Sequence, residues 1–435
     1  MSIYKKNRSI AILLLGAVIS ASYFSNVRAQ GLGNSPYTVL GVGEPYTDAF
    51  STNQGMGGAG VSTSNGIHIN NLNPALWVRN RYTTFEFGAI SQYKEIKSST
   101  ASQRDFGANL AYLAISLPAG RRWSTGLSLK PYSFVDFESR TSGKVAGTIY
   151  DTYYFYSGRG AINQVSFNNA FQIGKYLSVG LESSYLFGNV RRASESQLLI
   201  GDGSDYLVSR SERNNYADFF FRAGTALRIP IKKDNKLNLN LGGTYSFGTN
   251  LNARQTTTFE LTNNGSGIGF PDTLSNNAKG GIRLPAQYRV GASLEWPYKL
   301  TLAVDYSRQN WSEYRSFGGN NDGLVDVGRI HFGLEYIPQL AASAGYFKKI
   351  EYRLGFSNGT LPYSPGGTQL KDTNLSFGGT FPVGQRGNSP NSFTLSFIAG
   401  QRGAISDQAI QERYGKVVLG ITLVDNSWFS KVRID

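Results

Sequence analysis

The chain contains no cysteine and only two histidines, and past residue 29 it has no uninterrupted apolar run of about 18 residues. Each absence excludes a class of protein. Without cysteine there is neither a disulfide scaffold nor a lipoprotein anchor. His68 and His331 lack a neighbouring cysteine or histidine at ligand spacing, so no metal site is expected, and nothing in the sequence asks for a cofactor. Without a long apolar run no helix beyond residue 29 crosses a bilayer, so a membrane location would have to be built from strands.

What is present begins with an export signal. Lys5, Lys6 and Arg8 precede the apolar stretch Ile10 to Ile19, and Val27-Arg28-Ala29 offers a small-residue cleavage site before Gln30. Residues 1–29 are therefore expected to be a cleaved signal peptide. An uncleaved anchor fits less well, because the run is shorter than the ~20 residues of a spanning helix. Removal leaves 406 residues and, with four cations lost, lowers the net charge from +14 to +10. No basic cluster interleaves with stacking aromatics, so nucleic acid is not an expected partner.

The 51 glycines, 26 tyrosines, 26 phenylalanines and a mean hydropathy of −0.27 suit a transmembrane β-barrel. Barrels place apolar residues at every second position, so they look hydrophilic on average while carrying a lipid-facing band. Period-two alternation is explicit in Leu237 to Phe247 and Leu177 to Phe187. It recurs at Tyr288 to Trp296, Leu300 to Tyr306, Ile330 to Tyr336, Ile350 to Phe356 and Val417 to Leu423.

Short links (Pro118 to Arg122, Gly174 to Tyr176, Pro230 to Lys236, Pro297 to Lys299, Pro382 to Asn391) alternate with long polar stretches. The long ones, at roughly 136–160, 188–216, 248–284, 312–326 and 358–370, read as loops. The expected fold is all-β, a transmembrane antiparallel barrel of about 14 strands in a bacterial outer membrane, with outer-membrane lipid around it. A soluble sandwich or propeller is the alternative, but the long polar stretches recur at one end only and no blade-length repeat is present.

Alternation points Arg289, Glu295, Asp305, His331, Glu335, Glu351, Arg353 and Lys416 into the lumen. Mixed signs suit a cross-braced, partly blocked interior better than an open ion-selective pore. The inner faces legible in this way are otherwise polar or glycine, and no apolar pocket can be traced on them. Tyr150 to Ser157 reads as an aromatic girdle at the membrane interface, with a binding surface as the alternative.

Residues 30–82 do not alternate. They carry Gln54-Gly55-Met56-Gly57-Gly58-Ala59-Gly60 and then Asn71-Leu72-Asn73-Pro74-Ala75. The glycines permit tight turns and close approach to a wall, and Asn73-Pro74 disfavours helix. A phosphate cradle is not supported, since no Lys-Ser/Thr follows at the required spacing.

The glycine-rich run followed by Asn73-Pro74-Ala75 resembles the N-terminal hatch of the FadL/TodX family of outer-membrane transporters for hydrophobic compounds. A second patch is similar to that family across one hairpin: Leu284-Pro285-Ala286, Gly291, Asp305-Tyr306 and Trp311-Ser312. The resemblance implies a hatch at 30–82 closing the lumen of a barrel at 83–425, followed by a periplasmic tail at 426–435. Gly55, Gly57, Gly58, Gly60, Asn73, Pro74 and Ala75 would be positioning elements. It further implies passage of fatty-acid-like small molecules, through a hatch shift or a lateral gap beside a kinked strand, without catalysis. Barrels of this architecture also serve as accessory subunits of outer-membrane complexes for secretion or barrel assembly, which is the alternative expectation. A barrel hydrolase would need a Ser-His pair with an orienting group, and no motif supplies it.

Overall fold

The computed structural model describes residues 32–425, apart from 146, 149, 201–203, 233–235, 264–265, 342, 384–390 and 407–408. The expected signal peptide at 1–29 and tail at 426–435, with Trp428-Phe429, lie outside the described residues.

Fourteen antiparallel strands close into a barrel. They are β1 (Thr83–Lys97), β2 (Ser102–Gly120), β3 (Trp123–Lys144), β4 (Asp151–Ile173), β5 (Leu177–Ile200) and β6 (Ser204–Pro230). β7 runs in two pieces (Asn238–Ser246 and Thr249–Asn263), as does β8 (Asp272–Leu284 and Gln287–Trp296), which breaks at Pro285-Ala286. The set is completed by β9 (Leu300–Gln309), β10 (Val327–Tyr336), β11 (Glu351–Thr360), β12 (Lys371–Pro382), β13 (Ser392–Arg402) and β14 (Gln411–Asp425). Closure is the pairing of β14 with β1, from Gln411↔Lys97 to Asp425↔Thr83. A closed barrel leaves no backbone group of its wall unpaired in lipid, which is why strands can cross a bilayer at all.

Alternation decides which face meets lipid. Phe87, Leu127, Phe167, Leu181, Val304 and Leu354 point outward and are exposed, whereas their chain neighbours Glu86, Ser128, Ser166, Glu182, Asp305 and Arg353 are buried in the lumen. Outward rings also pair across strands, as in the stacked Phe377 and Phe397 with centroids 5.4 Å apart. This lipid-facing band identifies an outer-membrane barrel.

The strands are unequal. β9 to β11 have 10 residues each, enough to span the hydrocarbon, while β4, β5 and β6 have 23, 24 and 27. Here the expectation of long loops is corrected for 136–160, 188–216 and 248–284, whereas 312–326 and most of 358–370 do connect strands as loops. The stretches 136–144, 151–160, 188–200, 204–216, 249–263 and 272–284 are continuations of the wall as tall hairpins. They stand beyond the lipid-facing band with their outer face in solvent, so their strands carry no lipid-facing alternation to read. The expected girdle at Tyr150 to Ser157 is corrected too. From Asp151 onward it belongs to the tall part of β4, at least eight residues beyond Val165, where the outward apolar positions end, and Tyr153 lies 4.0 Å under the Arg140 guanidinium.

Candidate functional site

Residues 32–82 run through the lumen with few regular elements: a five-residue helix (Ser51–Gly55) and 3-10 turns at Pro36–Thr38 and Pro74–Arg79. A segment this irregular must find hydrogen-bond partners on the inner wall. It finds them in two ways, by close backbone approach and by charge.

Close approach comes from glycines on facing strands. Gly180 and Gly224 pair across β5 and β6, Gly242 and Gly291 across β7 and β8, and Gly333 and Gly355 across β10 and β11. A methyl group on Gly355 would overlap the Gly57 amide, one on Gly180 the Ala75 amide, and one on Gly242 the Val61 carbonyl. On the hatch side, Gly57 (φ +67°) and Gly58 (φ +80°) occupy the left-handed region that favours glycine, so the run can fold back against this wall. Gly55 lies on Gly378 and Ser396. Asn73 caps the 3-10 turn by accepting from the Ala75 amide at 3.0 Å, and its amide donates to Val61 O and Thr225 O at 2.8 Å each; Pro74 sits against Gly224.

Charge fixes the rest. Asp305 Oδ2 accepts from the Gly60 amide at 2.9 Å and the Val61 amide at 3.0 Å, and pairs with Arg289 at 2.8 Å; Arg289 also donates to Gly58 O. His331 Nδ1 is 2.8 Å from Gly57 O. Arg353 binds both Glu335 and Glu351, and Glu351 faces His68 of the hatch at 3.6 Å, with Glu86 on the other side of that ring at 3.4 Å. Burial opposes charge on His68, but Glu351 and Glu86 outweigh it and raise its pKa to about 9. Glu295 receives Arg228 at 3.0 Å and Asn240 at 2.8 Å, and Lys416 lies 4.9 Å from the centre of the Tyr414 ring. All eight inward-pointing charges named above thus have their partners on the lumen side.

Two further clusters do not follow from the motifs. Asp48 of the hatch joins Lys130 at 2.7 Å and Arg222 at 2.8 Å, with Glu182 on the far side of Arg222. Glu44 meets Arg402 at 2.8 Å, and Arg402 also holds Glu412. Burial works against the charge on Glu44, yet Arg402 and then Lys94 take its pKa down to about 2. Lys94 itself donates to Gly33 O at 3.2 Å. The signal for these was a charge at inward parity on a strand, but their partners in the N-terminal segment lie 61 to 358 residues away in the chain.

Above the hatch the lumen changes character. Val135, Ile162, Leu186, Phe220, Leu251 and Ile282, from six successive strands, form a buried apolar cluster beneath Trp311, Tyr314 and Leu324 of the β9–β10 loop. The reading of a lumen without apolar lining is corrected accordingly: each strand contributes only one or two such residues, so no single strand displays the cluster.

The wall has an incomplete seam. β2 and β3 pair only between Leu113–Gly120 and Trp123–Leu129. Beyond Leu129 the free edge of β3 is satisfied by the hatch: the Ser35 amide donates to Asp136 O and the Tyr46 amide to Tyr132 O at 2.8 Å each, and Glu44-Pro45 bridges Phe134 and Ser133. On β2 the amides of Phe106 and Leu110 bond to the side chains of Asp105 and Asn109.

Solved structures share this architecture. The CymD monoaromatic hydrocarbon channel is 15% identical, with a TM-score of 0.55 over 88% of this chain and 99% of that one. The P. putida toluene transporter TodX (14% identical) and a Pseudomonas aeruginosa FadL homologue (11%) each align with a TM-score of 0.55 over 87% of this chain and 99% of theirs. The FadL-like fold is shared at these identities. No curated protein matches the chain in sequence. The sequence model of BamG matches residues 10–435, and the chain belongs to the BamG family.

Proposed function

We propose that the barrel admits hydrophobic small molecules, fatty-acid-like in character, across the outer membrane under control of its N-terminal hatch. The observation that carries this reading is the apolar cluster in the outer half of the lumen, set directly above the hatch and beside the β2–β3 seam. An apolar solute entering from outside gains by leaving water there, and a short movement of residues 32–46 would expose it to lipid through the seam. The hatch glycines and Asn73-Pro74-Ala75 position the plug, the inward charges latch it, and no bond is made or broken in the solute. Residues 30–82 act as one gating unit within the 83–425 barrel.

A second reading, an accessory subunit of a larger outer-membrane complex, is favoured by the number of buried ion pairs that latch the plug. Such pairs cost desolvation, and they suit a scaffold whose lumen stays shut. Native mass spectrometry of the full chain, released gently from its own membrane, separates the two. A retained fatty acid or other apolar ligand on the monomer supports passage. A stoichiometric complex with another outer-membrane protein and no retained ligand replaces it with the accessory role.

A further inference from the structure

A large cavity lies outside the apolar half of the lumen. It opens at the short-turn end, which in outer-membrane barrels faces the periplasm, and has a volume of about 1390 Å³. Among the described residues its walls carry six cations and three carboxylates. The three carboxylates are already engaged: Glu295 by Arg228, Glu335 by Arg353, and Glu351 by Arg353 and His68. Of the cations, Arg81, Lys175 and Lys299 are exposed and have no carboxylate of the described residues within ion-pair distance.

Arg79 adds a more specific feature. It ends the 3-10 turn of the hatch, and its Nη1 is buried with no hydrogen-bond partner among the described residues. A buried guanidinium nitrogen left unpaired is costly unless a ligand completes it. The rim is also aromatic. Tyr176 and Tyr298 are 50% and 64% exposed, and Tyr298 holds its turn with φ +58°, a conformation that favours glycine.

We propose that this vestibule is a docking site for an acidic polypeptide segment presented from the periplasm. One carboxylate would sit against Arg79 and others along Arg81, Lys175 and Lys299. A polypeptide fits better than a small anion for two reasons. The volume exceeds the ~300–1,000 Å³ of small-ligand sites. The unpaired cations are also spread over separate elements, the hatch and two turns, as the carboxylates of an extended segment are spread along its chain. Exposed tyrosines beside desolvated arginine are what protein contacts favour. The proposal is independent of whether anything passes through the lumen.

The test is anisotropy of a fluorescein-labelled octaglutamate peptide with the full mature chain in nanodiscs, at low and high salt, with inorganic phosphate as competitor. Binding should be saturable, weaken with salt, and fall about tenfold in Arg81→Gln/Lys175→Gln/Lys299→Gln. Those three side chains are exposed, so the variant remains informative should Arg79→Gln fail to fold; where Arg79→Gln folds, it should also weaken binding. Absence of binding at low salt, binding unchanged in the triple variant, or displacement by phosphate at matched charge would each overturn the proposal, the last by marking a small-anion site. Passage of a labelled fatty acid measured on Lys175→Gln/Lys299→Gln, both outside residues 30–82, should be unaltered, which keeps this outcome separate from the transport reading.

Discussion

Asp305 on β9 accepts hydrogen bonds from the backbone amides of Gly60 and Val61, so a barrel carboxylate holds the segment proposed above as a hatch. Its other partner is Arg289 on the neighbouring strand. Asp305→Ala removes both functions and leaves Arg289 half-buried without a counter-ion. The seated state should lose about 3–5 kcal/mol, the usual effect of removing one member of a buried pair. Frequent openings in planar-bilayer recordings, with heat-modifiable gel mobility unchanged, are the expected result. Wild-type closure would show that the seat lies elsewhere.

The glycine contacts make a sharper prediction about shape. Gly355→Ala should unseat the hatch, because its methyl overlaps the Gly57 amide, whereas Gly415→Ala has nothing within 4 Å of its new methyl and should be silent. Protease sensitivity of residues 50–62 in folded barrels distinguishes them. Equal protection of both variants would count against backbone-to-wall seating.

His68 gives the hatch a pH dependence of definite sign. Its folded pKa of about 9 lies above the ordinary 6.5, so its pairing with Glu351 and Glu86 contributes fully below 6.5 and is lost as pH rises through 9. Conductance of the wild type should therefore climb between pH 7 and 10. A flat profile, or the same climb in His68→Gln, would remove His68 from the latch.

Deleting residues 31–80 should leave a folded barrel with an open lumen. The wall closes through β14 and β1 without help from this segment, and only the β3 edge from Tyr132 to Asp136 loses backbone partners. The inward charges would be rehydrated once water replaces the plug. Unchanged single-channel conductance in a heat-modifiable deletion variant would refute the plug.

The seam can be locked chemically because the chain has no native cysteine. Ser35→Cys/Asp136→Cys should cross-link the hatch strap to β3, where the two backbones already share a 2.8 Å hydrogen bond. If apolar solutes leave through the seam, uptake of a labelled fatty acid should drop at least about fivefold when oxidised and recover on reduction. Full uptake in the locked form would direct the exit past the hatch instead.

The parts of the wall that were legible in the sequence are those in lipid. Leu300 to Tyr306 and Ile330 to Tyr336 alternate because one face meets hydrocarbon and the other the lumen, and that constraint writes itself into every second residue. The tall hairpins of β4 to β6 feel no such constraint, so Asp151 to Gly160 looked like loop although it pairs residue by residue with β5. The glycine run and Asn73-Pro74 marked an irregular segment needing close contact, but not what it would touch.

By itself, the sequence determined strand-by-strand membrane crossing, the count of fourteen, and a non-alternating segment too irregular to be part of the wall. These follow from local periodicity and backbone preference, which need no distant partner. The tertiary structure alone decided how charges such as Asp48 and Arg222 are paired, that the outer lumen is apolar, and that β2 and β3 part company above Leu129. Each of these depends on groups brought together from opposite sides of a closed barrel. Closure is a property of the whole ring of strands and of no single one of them.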